Sequence, residues 1–300
     1  MVTSELAPNR VGVGIHHVLI GTDLSHQSER AIRYGLDFAR LLGAEAEIVY
    51  VLPTEEYVVA GPEGLQAARD AARRDLLELR SSISSRSSYD DNAGFHVAMC
   101  EGAVAECLLQ HAGDKKADLI VLGTHGRGGL GKALLGSVAE KIFRRSCVPV
   151  LTVGPNAQRQ HEVDAIHEIV APCDLTDGSH SAVWFACGLA ASHHSRLTVL
   201  HVVDGGSDAV RIDPERAEAC IRDRLTAAVG EHGHGVDVFY RVESGRIAPT
   251  VLDVSAERHA DLIVLGVRPS SGILDRFAWP IAYEVVRGAS CPVLTLRGRI

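Results

Sequence analysis

The sequence is poor in aromatic residues and in positive charge, and the second shortage excludes a class of function. Phe, Trp and Tyr make up 5% of the 300 residues, and 30 Lys and Arg stand against 38 Asp and Glu, for a net charge of −8. Nucleic-acid-binding surfaces draw most of their affinity from clustered Lys and Arg. We therefore expect no nucleic-acid partner.

Paired thiol motifs and long apolar runs are also missing. The seven cysteines are odd in number and form no CxxC motif, which favours reduced cytosolic thiols over a disulfide framework or a thiolate metal site. No apolar run approaches the ~20 residues that span a bilayer, and the N-terminus lacks the pattern of a signal peptide. These features predict a cytoplasmic protein without a membrane segment.

Motifs of catalysis and of metal binding are absent from the sequence as well. It contains neither GxSxG nor a Ser or Cys with a recognisable base at fixed spacing, so we predict no catalytic residue. The 15 histidines form no HExxH motif, and solvated surface histidines are the default interpretation. We predict no metal site.

The sequence does contain an internal repeat. The segment DLIVLG at 118–123 recurs at 261–266, which is 143 residues later, and VLIGTDL at 18–24 parallels IVAPCDL at 169–175, 151 residues later. Each copy is about as long as a domain, so the pattern indicates a tandem duplication. We predict domains at 14–154 and 164–300, with extra residues in the first copy near 53–64.

Short apolar runs alternate with helical patterns in each copy. Several runs are almost wholly apolar, which is typical of strands buried on both faces of a parallel sheet. Strand–helix alternation implies right-handed crossovers, so the predicted fold class is α/β, with two tandem doubly wound five-stranded parallel sheets. The predicted strands are 17–22, 47–52, 95–99, 119–123 and 148–153 in the first copy, and 168–172, 196–203, 236–241, 261–266 and 292–296 in the second.

A glycine-rich loop follows the fourth strand of the first copy. Five more glycines follow Gly123 before Ser137, where a helix is predicted to begin, and Arg127 and Lys132 add positive charge. Glycine lets anionic oxygens approach backbone N–H groups, and a helix N-terminus offers unpaired donors to phosphate. Ligands bind doubly wound sheets at the carboxyl ends of the strands. Thr22 at the end of the first strand, Asp23 directly after it, and Val51 near the end of the second strand converge on the same edge.

Three phosphate-binding motifs match this loop. The spacing of Gly126, Gly128 and Gly131 satisfies a dinucleotide fingerprint, but the loop does not open a first βαβ unit. Gly126 to Lys132 also matches a Walker-A loop, except that Ala133 stands where Ser or Thr binds Mg²⁺. Both motifs normally follow the first strand of a fold, whereas this loop follows the fourth. We therefore interpret both matches as chance results of the high glycine content.

The third motif, Gly123-x2-Gly126-x9-Gly136-Ser137, resembles the ATP-binding pattern of the universal stress protein family. Asp23, the GSVAEK run at 136–141 and the CVPV strand that begins at Cys147 are similar to that family too. The resemblance covers both copies. It implies a tandem fold with the layering of flavodoxin and of the adenine nucleotide alpha hydrolases, and a nucleotide-binding role in the stress response.

The resemblance also implies roles for individual residues. Asp23, beside Thr22, takes the adenosine end of ATP, and the backbone of Val51 contacts adenine. The loop residues then surround the ribose and phosphates, with Mg²⁺ accompanying the nucleotide; they are Gly123, His125, Gly126, Arg127, Gly136, Ser137 and Val138. Two plainer interpretations stay open: the glycines only form a tight turn, with His125 lining it, and Asp23 only caps a helix.

The second copy lacks this loop. With the offset of 143, Pro269, Trp279 and Pro280 replace Gly126, Gly136 and Ser137, and each proline removes an N–H donor. Asp275 adds negative charge, and only Asp174 and Gly266 are retained. We expect the second copy to bind no ATP, or to hold a less charged ligand.

The leading functional hypothesis is an ATP-binding, nucleotide-sensing protein with slow or absent turnover. The alternative is an ATPase or nucleotidyl-transfer enzyme that uses the same loop. The family resemblance further implies that the last strands of the two copies pair around a pseudo-two-fold axis. It is also consistent with a homodimer of two chains.

Overall fold

The computed structural model describes residues 14–86, 95–124, 136–157, 165–204, 214–267 and 278–297. Within these ranges the strands are β1 (His17–Thr22), β2 (Glu45–Leu52), β3 (Phe95–Glu101), β4 (Leu119–Gly123), β5 (Val150–Val153), β6 (Glu168–Pro172), β7 (Arg196–Val203), β8 (Asp237–Ser244), β9 (Leu262–Val267) and β10 (Val293–Arg297). The helices are α1 (Ser28–Leu42), α2 (Gly61–Arg86), α3 (Val104–Asp114), α4 (Ser137–Arg145), α5 (Asp177–His193), α6 (Pro214–Val229), α7 (Ile247–Glu257) and α8 (Ala278–Gly288).

All ten strands form one sheet in the order β3-β2-β1-β4-β5-β10-β9-β6-β7-β8. The five strands of each copy are parallel to one another, as predicted. The central strands β1, β4, β6 and β9 are buried along most of their length, because helices cover both faces of the sheet. The α/β fold class and the duplication are therefore confirmed.

The two copies join through their last strands. β5 and β10 pair in antiparallel register, with Leu151 opposite Leu294, and the hydroxyl of Thr295 donates to the carbonyl of Val150 at 3.2 Å. This is the pairing that the family resemblance implies. Because the pairing is antiparallel, the carboxyl ends of the strands in the two copies point to opposite edges of the sheet.

The hydrophobic core is continuous across this junction. One cluster contains Ile20 and Leu151 of the first copy together with Leu294 and Val264 of the second, and α1, α2, α5 and α6 all pack against it. On the opposite face, Phe143 of α4 is buried among the residues of α7 and α8. The two copies are thus parts of one packed body.

The additional residues of the first copy lie in the crossover from β2 to β3. Helix α2 has 26 residues, whereas its counterpart α6 has 16. A short 3-10 turn at Thr54–Tyr57 precedes α2, and Val58 and Val59 after it are largely exposed, at 76% and 99%. In the described ranges, no helix is both long and apolar enough to cross a membrane.

Candidate functional site

The candidate site lies at the carboxyl edge of the first copy, where the strand order changes direction. β1 pairs with β2 on one side and with β4 on the other, so the connections leaving β1 and β4 go to opposite faces of the sheet. Such a switch point leaves a crevice at the edge of the sheet. Thr22 ends β1 and Gly123 ends β4, which brings both predicted residues to this crevice.

The turn after β1 is held by its own polar side chains. One carboxylate oxygen of Asp23 accepts from both the amide and the hydroxyl of Ser25, at 3.1 and 2.6 Å. The hydroxyl of Thr22 accepts from the amide of Leu24 at 3.0 Å and lies 2.9 Å from the hydroxyl of Ser28. These bonds use the backbone amides of the turn, so α1 begins only at Ser28.

The turn requires an unusual backbone conformation. Leu24 has φ of 61°, a left-handed value that costs a non-glycine residue of the order of 1 kcal/mol or more. The second copy repeats the turn: Leu175 also has φ of 61°, and Asp174 accepts from the amide of Thr176 at 3.1 Å. Asp23 therefore stabilises a turn that is present in both copies. It is not the N-cap of α1, which is Gln27.

The ends of the glycine-rich loop are tied together. Thr124 is buried, and its amide donates to the carbonyl of Val153 at 3.2 Å, while its own carbonyl accepts from the amide of Gly136 at 2.8 Å. A Cβ on Gly136 would lie 3.2 Å from that carbonyl, so glycine suits the close approach. The loop between them includes His125, Gly126 and Arg127, which lie outside the described residues.

Helix α4 begins where the loop closes. Gly136 is its N-cap, and the Gly136 carbonyl accepts the first helical bond, from Glu140 at 2.9 Å. The Gly136 amide is already used by Thr124, so this residue closes the loop and is not an amide donor for a ligand. The next amides, of Ser137 and Val138, have no acceptor within their own helix. Ser137 is exposed and Val138 is half-buried.

The two arginines at the C-terminal end of α4 form ion pairs with carboxylates. Arg145 donates to Glu106 of α3 at 2.7 Å, and Arg144 lies 3.1 Å from Glu140. The pKa of Glu106 is lowered, chiefly by its own backbone N–H and also by Lys141 and Arg145. By sequence, the glycine-rich loop adds two further positive charges, Arg127 and Lys132.

Val51 lies at the same edge, on β2. Its neighbour Leu52 accepts from the amide of Gly102 on the β3 side, at 3.0 Å. Because successive residues of a strand direct their backbone groups to opposite sides, those of Val51 face the β1 side. The pairing of β1 with β2 ends with Thr22 opposite Tyr50, so Val51 lies just beyond the end of β1.

The corresponding edge of the second copy is built differently. A Cβ on Gly266, the counterpart of Gly123, would lie 2.5 Å from the carbonyl of Gly178 at the start of α5, so the packing of α5 itself requires glycine there. Helix α8 begins at Ala278, which places Trp279 and Pro280 inside its first turn. Pro269 and Asp275 lie outside the described residues.

The comparisons with known proteins agree with this architecture. The sequence model of the universal stress protein family matches residues 14–154 and 165–297, which is most of the chain. The chain belongs to the universal stress protein family. Adenine-nucleotide binding is typical of this family, and the tandem arrangement is shared with relatives of full length.

Individual relatives support the same assignment. The chain is 26% identical over 294 residues to a universal stress protein of Mycolicibacterium smegmatis, an alignment that covers 94% of this chain and 97% of the relative. It is 32% identical over 137 residues to one from Methanocaldococcus jannaschii, covering 45% of this chain and 80% of the relative. The fold is similar to that of a universal stress protein from Archaeoglobus fulgidus, with a TM-score of 0.71 and 20% identity over 94% of this chain and 96% of that one.

Metal-binding clusters are not found among the described residues. No group of three or more His, Cys, Asp or Glu there has a geometry suited to a metal ion. The paired histidines at His193 and His194 are separated by the end of α5, since His194 adopts a left-handed φ of 54° as the C-cap. Burial lowers the pKa of His193, with a contribution from the charge of His194.

Proposed function

We propose that the first copy of this universal stress protein binds ATP at the carboxyl edge of β1 and β4. The observation that carries the proposal is the closed loop, in which the Gly136 amide and the Thr124 carbonyl are joined at 2.8 Å in front of the α4 N-terminus. This closure sets the amides of Ser137 and Val138 at the base of a glycine-rich loop. A helix N-terminus with free amides favours a phosphate group.

The residues present fit a nucleotide at both of its ends. The phosphate tail would lie against the Ser137 and Val138 amides, with Gly126, Arg127 and His125 of the loop around it. Asp23, Thr22 and Gly123 would border the adenosine, and the backbone of Val51, just beyond the end of β1, would meet the adenine. Mg²⁺ would be held mainly by the phosphates and by water, as it commonly is, since the described part of the chain contains no cluster of ligands suited to a metal ion.

The proposed role is nucleotide sensing in the stress response, not catalysis. Occupancy would set the conformation of the loop and hence the surface that a partner meets. Among the described residues, the carboxylates near α4 are paired with arginines, and none is placed as a free general base. Slow ATP hydrolysis or nucleotidyl transfer at the same site is the alternative function. We further propose that each chain consists of two domains, at 14–154 and 164–300. Two such chains would form a homodimer in the cytoplasm.

Two measurements on the purified chain test sensing against catalysis. A ligand present at 100 times its dissociation constant stabilises a protein by about 2.7 kcal/mol. We expect Mg·ATP to raise the melting temperature accordingly, and Mg·tripolyphosphate, which lacks adenosine, to raise it less. We also expect little release of phosphate, AMP or pyrophosphate. An unchanged melting temperature would refute binding, and steady multiple turnover would favour the enzyme.

A further inference from the structure

Three polar side chains form a connected row beneath α3, away from the loop. Glu47 on β2 is 7% exposed, and one of its carboxylate oxygens lies 2.9 Å from Nε2 of His111 on α3. The other ring nitrogen of His111, Nδ1, lies 3.5 Å from Sγ of Cys100 on β3. Cys100 and His111 are both half-buried. The order is thiol, imidazole, carboxylate.

The carboxylate fixes which nitrogen of His111 carries the proton. Glu47 as a carboxylate can only accept, so Nε2 of His111 is the donor and, in the neutral ring, Nδ1 is left as a base facing Cys100. Two further basic side chains lie near the Glu47 carboxylate. Nζ of Lys115 lies 3.9 Å from its second oxygen, and Nε2 of His17 lies 3.8 Å from its first. The ring of His17 is anchored by Nδ1, 3.0 Å from the Lys115 carbonyl.

The fold does not require this row. In the second copy, with the strand offsets of 151 and 143, Thr198, Glu243 and Val254 stand in place of Glu47, Cys100 and His111. These replacements cannot make the same connections, yet β7, β8 and α7 take the same places in the sheet and its helix layer. The row is therefore a feature of the first copy and not a condition of the architecture.

We propose that Cys100 is a site of oxidation by hydroperoxides, with His111 as its base and Glu47 as the residue that positions His111. Burial raises the pKa of Cys100, helped by the charges of Cys107 and Glu47, so the thiol is protonated at neutral pH. A protonated thiol is a weak nucleophile and needs an adjacent base. Nδ1 of His111 supplies that base at hydrogen-bonding distance. The inference is independent of nucleotide binding.

The proposed step is a two-electron oxidation. Sγ of Cys100 attacks the terminal oxygen of the hydroperoxide, an S–O bond forms and the O–O bond breaks. The thiol proton passes to Nδ1 of His111 and from there to the departing oxygen, which leaves as an alcohol, or as water when the oxidant is hydrogen peroxide. The products are a sulfenic acid on Cys100 and the reduced peroxide.

Cys107 provides a matched comparison within the same chain. It is also half-buried, and burial, with the charge of Glu106, raises its pKa as well. Its Sγ donates to the carbonyl of Glu101 at 3.3 Å, which is an acceptor but not a base that can remove the proton. The two thiols therefore share burial and differ in their hydrogen-bond partner.

Peroxide oxidation of the full chain tests the proposal. In a variant with the exposed thiols removed, Cys147→Ser and Cys220→Ser, the protein is treated with limiting hydrogen peroxide and dimedone, and each labelled cysteine is quantified by mass spectrometry. General-base assistance typically contributes 10²-fold or more, so we expect Cys100 to react at least tenfold faster than Cys107. Equal rates would overturn the proposal without any further variant.

A second variant separates base catalysis from simple exposure. His111→Gln keeps an N–H that can reach Glu47 but has no basic nitrogen to face Cys100. We expect the Cys100 rate to fall to that of Cys107, while the Cys107 rate and the melting curve stay as they were. A Cys100 rate that His111→Gln leaves unchanged would show that access alone governs the reaction.

Discussion

Replacing Ser137 by proline is expected to weaken ATP binding at least tenfold without disturbing the fold. Ser137 is the first residue of α4, where proline is well tolerated because its missing N–H has no helical acceptor. Proline also restricts the preceding residue to extended conformations, and Gly136 already has φ of −58° and ψ of 144°. The variant therefore removes a ligand donor from a backbone that suits proline.

The size of the loss follows from the amide that is removed. A hydrogen bond to a charged group contributes about 1.5–3 kcal/mol, which corresponds to roughly 10- to 150-fold in affinity. Ser137→Ala is the matched control, because it removes only the hydroxyl and keeps the amide. We expect calorimetric titration with Mg·ATP to show a much smaller loss for alanine. Equal affinities for wild type and Ser137→Pro would exclude the α4 N-terminus from the site.

Truncating Leu294 to alanine is expected to cause a large loss of stability for the whole chain. Leu294 is completely buried and lies opposite Leu151 across the junction of β10 and β5. Buried Leu→Ala substitutions cost about 2–5 kcal/mol. At roughly 2–4 °C per kcal/mol, the melting temperature should fall by the order of 10 °C.

Leu296→Ala provides the control for this substitution. Leu296 lies two residues further along β10, is only half-buried and pairs with Gly266 of its own copy instead of crossing the junction. We expect it to cost distinctly less. Because the core is shared, thermal unfolding of both variants should remain a single transition monitored by circular dichroism. Equal losses, or separate melting of the two copies, would contradict a common core.

Sequence patterns were sufficient to predict the fold because they are local and repeated. The apolar runs that predict β6 and β7 end at the residues where those strands end. The start of α1 cannot be read from the sequence in this way, since Thr22, Asp23 and Ser25 satisfy backbone amides that a helix would otherwise need. Side-chain competition of this kind is not visible in periodicity.

The candidate site was predictable only in part. The glycines locate the loop. The sequence does not reveal that the Gly136 amide donates to the carbonyl of Thr124 and so closes the loop. The row of Cys100, His111 and Glu47 cannot be predicted from sequence for a different reason. Its members come from three elements, the imidazole and the carboxylate are 64 positions apart in the sequence, and no fixed spacing links them. Only the packing of α3 on β2 and β3 brings them together.

We expect the first copy of the duplication to bind adenine nucleotide and the second copy to bind none. Equilibrium dialysis of the full chain against Mg·ATP counts the bound nucleotides directly, with Ser137→Pro measured in parallel. We predict one ATP per chain for wild type and, at the same nucleotide concentration, far less for the variant. Two nucleotides per chain, or one that persists in Ser137→Pro, would contradict the account.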